Sequence, residues 1–428
     1  MEFSSVKGFR DFYPEDMILR NTIADAWRRV SLRNGFVEYE GPMLEYLDLY
    51  RVKSGDEIVS QLFRLTDRGG RELAIRPEQT PTLARMVNAR INALPRPIKW
   101  FSIPWLCRAE NPQRGRGREF FQWNVDVIGS DAALADAECI FALADLLAEL
   151  GLAPSEARIF LSSRSLITAA LSAVGVAPAR HEAMLPILDK RDKVAGEAFE
   201  AMCVKEGLTA EQIGAISAFQ DAATLDEAAS RLGDSNTVAA ECATLSEVMA
   251  ILERMGAGDY CRLDLHVVRG LAYYTGVVYE AFDPDRTMRA LAGGGRYDNL
   301  LEMLGGPRIG ATGFGMGDMV LANLLADRGK LPDVAASCDC YVVDAGAGLF
   351  DATLGAVADL RRAGLRTNLS YKRQSLGKQL KAASRSGAAV AVIVGAELAE
   401  SGELTVKDLA TGEQRRVRRA DLVAELKR

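Results

Sequence analysis

Two histidines, His181 and His266, are all that this chain of 428 residues contains. Imidazole is a leading metal ligand, and two copies far apart in sequence do not suggest a His-rich metal site. Seven cysteines are scattered without one CxxC pair. An odd, sparse set argues against a disulfide framework or a zinc ribbon, and for buried thiols in a reducing cytoplasm. Cys338 and Cys340 flank one residue of an expected strand, so they should face the same side. No run of ~18 apolar residues occurs, so no membrane helix is expected. The opening MEFSSVKGFRDFYPED lacks the apolar core of a secretory signal. Neither GxGxxG nor GxxxxGK(S/T) occurs, which leaves dinucleotide-binding and P-loop folds without support. Positive charge is also short: 52 Lys plus Arg against 58 Asp plus Glu give a net charge of −6. Such a chain does not coat nucleic acid over its whole surface, although local basic patches remain open.

What is present reads as a folded chain of two to three domains at ~150 residues each. Leu19, Ile23, Trp27 and Val30 recur at helical spacing, and Asn34-Gly35 closes that helix. FRLTD, Gly69-Gly70 and ELAIRPE read as a hairpin. IKWFSIPWLCRAE and EFFQWNVDVIG read as two strands joined by a polar loop, followed by a helix over 132–150. Residues 165–257 are Ala/Glu-rich and helical by pattern, an insertion between strand-rich blocks. Strands resume at DYCRLDLHVV, YYTGVVYEAFD and RALAGGGRYD, and a helix near 316–328 ends the block. These features predict 1–328 as one domain, a linker over 329–336 and an α/β domain over 337–428.

Four segments carry possible chemistry. Residues 108–126, beginning RAENPQRGRGREFFQ, hold Arg108, Arg114, Arg116 and Arg118 and then aromatics. Guanidinium forks bind phosphate and an aromatic face stacks on a base, although a solvated hairpin loop would read alike. Glu78 in AIRPEQT reads, alone, as a surface carboxylate. RGLAYYTG (269–276) sets an arginine and two tyrosines between glycines. AGGGRYD (292–298) removes three side chains where a ligand or a close strand must fit, or merely forms a turn.

In this order the segments resemble the histidyl-tRNA synthetases, class II aminoacyl-tRNA synthetases. GFRDFYP resembles the family's N-terminal signature. GFVEYEGPMLE, with Pro42, resembles motif 1, a dimer-interface element. RPEQT is similar to the amino-acid loop, and residues 108–126 to motif 2. LDKRDK resembles a run in the family's helical insertion. RGLAYYTG and AGGGRYD resemble the two histidine-specific signatures, and VKDLATGEQ the end of an anticodon-binding domain. The resemblance implies an α+β class II catalytic domain, an antiparallel sheet flanked by helices, with a helical insertion at about 165–257. A C-terminal α/β anticodon-binding domain would follow.

It also implies the reaction: ATP-dependent activation of L-histidine to histidyl-adenylate, then transfer to the 3′ end of tRNA(His). Arg108 and Arg269 would be the catalytic arginines. Glu78, Gln79, Thr80, Arg108, Gln122, Asp126, Arg269, Tyr273 and Tyr274 would bind histidine. Arg108, Glu110, Arg116, Phe120 and Gln122 would bind ATP. Mg²⁺ would bridge the β and γ phosphates with no protein ligand assigned, and the enzyme would be a cytoplasmic homodimer without a membrane partner. The insertion would clamp the acceptor stem. Residues 361–385 hold eight Lys or Arg and no acid, and 415–419 read RRVRR. With Tyr371, they would meet the anticodon arm.

Three positions depart from the family pattern: Ala272 where Asp is usual, Asp126 where Glu is common, and Val320 where motif 3 ends in an arginine. Val320 and Ala272 favour an alternative, a histidine-binding regulatory paralogue like the subunit of ATP phosphoribosyltransferase. Such paralogues typically lack the C-terminal domain.

Overall fold

The computed structural model describes every residue except 1–2, 52–60, 234, 270–272, 333–337, 347, 373 and 428. Ala272 and residues 333–336 of the expected linker therefore lie outside the described residues. The chain divides into two compact units, Met1–Leu331 and Pro332–Arg428.

The first unit holds β1 (Val37–Glu38), β2 (Leu44–Tyr46), β3 (Arg64–Thr66), β4 (Glu72–Ile75), β5 (Ile98–Ser102) and β6 (Trp105–Cys107). It continues with β7 (Glu119–Ile128), β8 (Arg158–Ser163), β9 (Cys261–Leu263), β10 (Val277–Phe282), β11 (Ala292–Arg296) and β12 (Ala311–Gly317). Among the described residues, nine strands form one sheet in the order β1-β5-β7-β12-β11-β10-β8-β9, with β6 pairing the start of β7. Every pairing from β5 to β8 is antiparallel, whereas the β1–β5 and β8–β9 edges are parallel. The expected hairpin forms as β3–β4, and β2 joins it to make a small separate sheet.

Strand alternation divides the large sheet into two chemistries. On one face, Trp123, Val125 and Val127 of β7 join Tyr279, Ala281, Phe314 and Met316 in the main core. The helix Pro14–Arg33 lies there with Ile23, Trp27 and Val30 inward, and Trp27 stacks on Trp123 at 6.3 Å. The Trp123 indole N–H donates to Ser31 Oγ at 2.8 Å, so that buried donor is satisfied. The helix Ala133–Glu149 adds Ile140, Leu143 and Leu147. Residues 164–254 form the expected run of helices, from Arg164–Ala173 to Asn236–Arg254, and their apolar stripes join the same core. The other face of β7 carries Gln122, Asn124 and Asp126.

The second unit holds β13 (Cys340–Asp344), β14 (Thr367–Leu369), β15 (Val390–Val394), β16 (Glu403–Asp408) and β17 (Gln414–Arg418), in the order β14-β13-β15-β16-β17. The first three strands are parallel, as crossover helices Phe350–Arg362 and Leu376–Arg385 require, and the last two return antiparallel.

Several expected details differ. IKWFSIPWLCRAE is not one strand: β5 ends at Ser102 and β6 begins at Trp105, with Pro104, which has no N–H to donate, between them. The strand at DYCRLDLHVV stops at Leu263, because the Asp264 carboxylate accepts the His266 N–H and turns the chain. Cys338 and Cys340 do not share a face. The strand starts only at Cys340, which packs with Val342 and Val394, whereas Cys338 packs with Tyr341 and Val343 on the other side. All seven thiols are free and buried. Burial pushes Cys107 and Cys203 up to about 11 and Cys261 up to about 12, so these remain thiols near neutrality.

One buried ion pair fastens the sheet to its helical layer. The Arg296 guanidinium, on β11, donates to Asp136 Oδ2 at 3.0 and 2.6 Å and to Asp298 Oδ1 at 3.2 Å. Burial alone would push the Asp136 carboxyl up, and it exceeds the opposing pull of Arg296. Removing one partner of such a pair costs about 3–5 kcal/mol, whereas an apolar replacement of both is far milder. Arg296→Ala should therefore lower unfolding free energy by about 3–5 kcal/mol in a denaturant titration, and Arg296→Met with Asp136→Leu by clearly less. Equal losses in the two variants would disprove this account.

Candidate active site

The polar face of the sheet is the floor of a cavity of about 330 Å³. The register explains it. Asn124, Gly315, Gly293 and Glu280 lie side by side in one row across β7, β12, β11 and β10. Asp126, Gly313, Gly295 and Val278 form the next row. Glycines thus occupy the middle of both rows, and the polar side chains stand at their edges. A Cβ on Gly293 would overlap the Arg269 guanidinium, and one on Gly313 would overlap Asp126 Oδ1. A Cβ on Gly315 would lie 2.8 Å from the Gln122 amide. AGGGRYD is therefore strand, not a flexible turn, and its missing side chains make room for Arg269 and Tyr274.

Glu78, Thr80, Arg108, Glu110, Arg116, Gln122, Asp126, Arg269, Tyr273 and Tyr274 all line this cavity. Glu78 is 6% exposed, so the reading of it as a surface carboxylate does not hold. Phe120 lines an adjoining chamber of about 600 Å³ that shares Arg108, Glu110, Arg116, Gln122 and Arg269 with the first. Gln79 is not brought to either wall. It is buried beside the helix Thr80–Ala89, with its amide toward Tyr39 and Gly41. Arg114 points elsewhere and pairs with Asp327 at 2.9 Å.

Each cavity arginine is held by a fixed partner. Arg108 Nε donates to the Pro77 carbonyl at 2.9 Å, and its guanidinium lies 5.2 Å from the Phe120 ring centre. Arg116 pairs with Glu110, itself buried. Arg269 pairs with Glu280 and lies 5.8 Å from the Tyr274 ring. Burial works against the Arg269 charge, but Glu280 and then Tyr274 outweigh it and hold the group above its ordinary range. Burial first, then Tyr274 and Glu78, pushes Tyr273 well up, so it stays a neutral phenol.

The loop between β6 and β7 is buckled from outside. Gly8, at φ +88°, accepts the Arg118 N–H at 3.0 Å. Arg10 donates its N–H to Glu119 at 2.7 Å and its guanidinium to Asp318 at 2.9 Å. Asp318 also accepts the Phe121 N–H at 3.0 Å. GFRDFYP and GFGMGD, remote in sequence, are thus two halves of one clasp around this loop. Val320 lies beneath the same loop, its Cγ2 3.2 Å from where a Cβ on Gly115 would be.

Some wall residues escape a reading of the sequence. Tyr297 donates its hydroxyl to Asp126, and burial followed by that carboxylate pushes its own ionisation well up. It sits in AGGGRYD, where the glycines drew attention. Asn124 lies between Gln122 and Asp126 at strand spacing, so alternation alone signals it. Gln61, Glu280 and Arg289 reach the walls from distant segments, with no local pattern that marks them, and Lys193 arrives from the LDKRDK run of the insertion. Among the described residues, no group of three His, Cys, Asp or Glu side chains could hold a metal ion.

Comparison with known proteins adds to this geometry. A family model described as histidyl-tRNA synthetase matches residues 8–318, and an anticodon-binding domain model matches 339–428. A histidine–tRNA ligase of Opitutus terrae is 42% identical over 413 residues, covering 96% of this chain and 94% of its own. The crystal structure of histidyl-tRNA synthetase from Nostoc matches with a TM-score of 0.87 at 26% identity, over 100% of this chain and 99% of its own. A Bacillus halodurans structure titled ATP phosphoribosyltransferase regulatory subunit/histidyl-tRNA synthetase matches with a TM-score of 0.77. At 24% identity, over 92% of this chain and 99% of its own, that likeness concerns the fold alone.

The two faces of β11 make a differential prediction, Gly293 lying on the polar face and Gly294 on the core face. A Cβ on Gly294 would lie 2.5 Å from the Gly313 carbonyl oxygen and 2.6 Å from Phe314 Cβ, neither of which can swing away. On Gly293 it would meet only the end of a long side chain. Gly294→Ala should cost about 1–3 kcal/mol or more of stability in urea unfolding, and Gly293→Ala clearly less. The reverse order would refute this reading of the two faces.

Proposed function

The chain belongs to the histidyl-tRNA synthetase family, and from that premise we propose how its residues divide the work of a histidine–tRNA ligase. The protein activates L-histidine with ATP and transfers it to tRNA(His). The observation that carries the assignment of roles is the meeting of Arg108 and Arg269 on the wall shared by the two chambers.

The first chamber takes histidine. Its ammonium meets Glu78 and Thr80, and its imidazole meets Gln122 and Asp126, with Tyr273 and Tyr274 closing the pocket. Tyr297 deepens this set, because its hydroxyl fixes the orientation of the Asp126 carboxylate. Asp126 is one methylene shorter than the Glu common at its position. Gly313 opposite lets it stand close to the cavity floor. A pocket of buried polar groups rejects an amino acid that leaves them unpaired. Gln79 supports this wall from behind rather than touching the substrate.

The second chamber takes ATP. Adenine stacks on Phe120, Glu110 takes its amino group, and Arg116 is released to the phosphates. The carboxylate of histidine is already ionised at neutral pH and attacks the α-phosphorus without a protein base. Negative charge grows on the α-phosphate, and Arg108 and Arg269 are held in place to meet it. The pyrophosphate departs, and the 3′-terminal ribose hydroxyl of tRNA then attacks the activated carbonyl, breaking its bond to the phosphate and releasing AMP, whose phosphate oxygen takes the hydroxyl proton. Val320 supplies no cation for the terminal phosphate. The acidic side chains Glu110 and Glu280 are already paired with arginines, so the donor set does not fit a protein-held metal. Phosphate oxygens of the nucleotide, hard ligands of the kind Mg²⁺ prefers, would hold that ion in place of protein side chains.

The second unit would meet the anticodon arm. Arg361 and Arg366 are engaged internally, with the Thr367 carbonyl and with Asp339. Lys372, Lys378, Lys381, Arg385 and Arg418 remain exposed, beside Tyr371 at 91% exposure. We place the enzyme in the cytoplasm, which the seven free, buried thiols support. No helix among the described residues is long and apolar enough to cross a membrane. The exposed apolar side chains Val37, Met43 and Leu44, in the stretch that resembles motif 1, and Tyr46 just after it support a homodimer. The regulatory reading has no better support, since the chain carries both the catalytic and the anticodon-binding matches.

ATP–pyrophosphate exchange tests the assignment. Histidine alone among the amino acids should elicit exchange, and silence with histidine would overturn it. Arg269→Ala should abolish exchange while histidine binding weakens by about tenfold at most. In sedimentation at micromolar concentration the chain should run as two copies, and a single copy would remove the dimer.

A further inference from the structure

Arg269 is one of two non-glycine residues among those described with a positive φ, at +63°. A β- or α-region backbone would carry its side chain elsewhere, so something must hold it in this conformation. The holder comes from the helical insertion. The Arg269 N–H donates to Asp189 Oδ1 at 3.2 Å, and Asp189 ends the helix His181–Leu188. Two further insertion contacts secure the residues just before it. The His266 ring lies between Asp192, 2.7 Å from Nδ1 but out of line for a hydrogen bond, and Asp221, 3.3 Å from Nε2. The Gln220 side chain donates to the buried Leu265 carbonyl at 3.3 Å. Arg191 grips Asp221 through two bonds of 2.8 and 2.7 Å, which locks that carboxylate in turn. The last backbone bond to the neighbouring strand is that of the Asp264 N–H to the Leu161 carbonyl at 2.8 Å, and among the described residues no strand pairing extends over 265–269.

We infer that the helical insertion sets the position of Arg269, with Asp189 as its positioning residue and the paired carboxylates on His266 as the supporting lock. The guanidinium is anchored at its far end by Glu280 and at its backbone by Asp189. Loss of either anchor lets the charge drift from the reacting phosphate. A displacement near 1 Å at such a group costs on the order of a hundredfold in rate. This inference rests on the role given above to Arg269.

The test uses the full chain and two variants. Asp189→Asn keeps an oxygen that accepts the Arg269 N–H but loses the charge that also pairs with Lys193 at 2.7 Å. Asp189→Ala loses both. In histidine-dependent ATP–pyrophosphate exchange, Asp189→Ala should lose about tenfold to a hundredfold in kcat with the KM for histidine within about threefold. Asp189→Asn should stay within about threefold of the parent in both. Hydrogen exchange read by mass spectrometry on peptides spanning 264–269 should quicken in Asp189→Ala and not in Asp189→Asn. An unchanged kcat in Asp189→Ala, or an equal fall in Asp189→Asn, would overturn the proposal. Should Asp189→Ala fail to fold, Asp192→Ala removes one carboxylate from His266 and leaves the helix end intact. It should lower kcat with KM held, and an unchanged kcat would again refute the lock. If the parent itself gives no exchange with histidine, the reading of the site falls. The hydrogen-exchange comparison then still decides whether Asp189 holds the segment.

Discussion

The active site depends on one steric constraint: the middle of the large sheet must carry no side chains on its polar face. Gly293, Gly295, Gly313 and Gly315 meet this constraint across two neighbouring strands. Their absence of Cβ atoms lets Asp126, Gln122, Tyr274 and Arg269 project over the sheet instead of beside it. The opposite face carries Phe314, Met316 and Tyr279 in the core, which keeps the glycine-rich strands rigid despite their weak intrinsic strand preference. A cavity built this way has a backbone floor and side-chain walls. The floor cannot rearrange without breaking the sheet.

The walls follow a second rule, that positive charge is fixed before any ligand arrives. Arg108 is held by a carbonyl, Arg116 by Glu110 and Arg269 by Glu280 and Asp189. Arg10 and Arg296, outside the cavity, tie the loops and strands that carry these groups to Asp318 and Asp136. Charges already oriented in a partly dry site need little reorganisation as the reaction proceeds, which is where such a site gains rate. The scarcity of histidine noted at the outset fits the proposed chemistry, in which the activation step needs no protein base.

Much of this was legible in the residue order, and what escaped has physical causes. Helical periodicity marked Pro14–Arg33 and Ala133–Glu149, and turn residues marked β3–β4, because those elements are specified locally. β8 and β12 were not marked. β12 reads ATGFGMG, where glycine replaces the apolar residues that announce a strand, yet it lies at the centre of the sheet. Arg108, Arg116, Arg269, Tyr273 and Tyr274 reached the cavity from quoted motifs, as did Glu78 of RPEQT, whereas Gln79 beside it faced away, because a helix begins there and turns its side chain toward Tyr39. Glu280 and Arg289 were invisible because only long-range packing brings them in, and LDKRDK drew attention without marking its Lys193 for the cavity.

The Glu110–Arg116 pair has a consequence for which molecules can occupy the nucleotide chamber. Both groups are engaged with each other in the absence of ligand, and Glu110 is buried. A molecule that offers only a purine would take Glu110 and strand the guanidinium. One that offers only phosphate would take Arg116 and leave a buried carboxylate unpaired, which costs more than the new contact returns. A molecule bearing base and phosphate at the right separation satisfies both at once. On the roles proposed above, the pair would work as a coincidence detector, excluding the fragments of the nucleotide by the same contact that admits it whole.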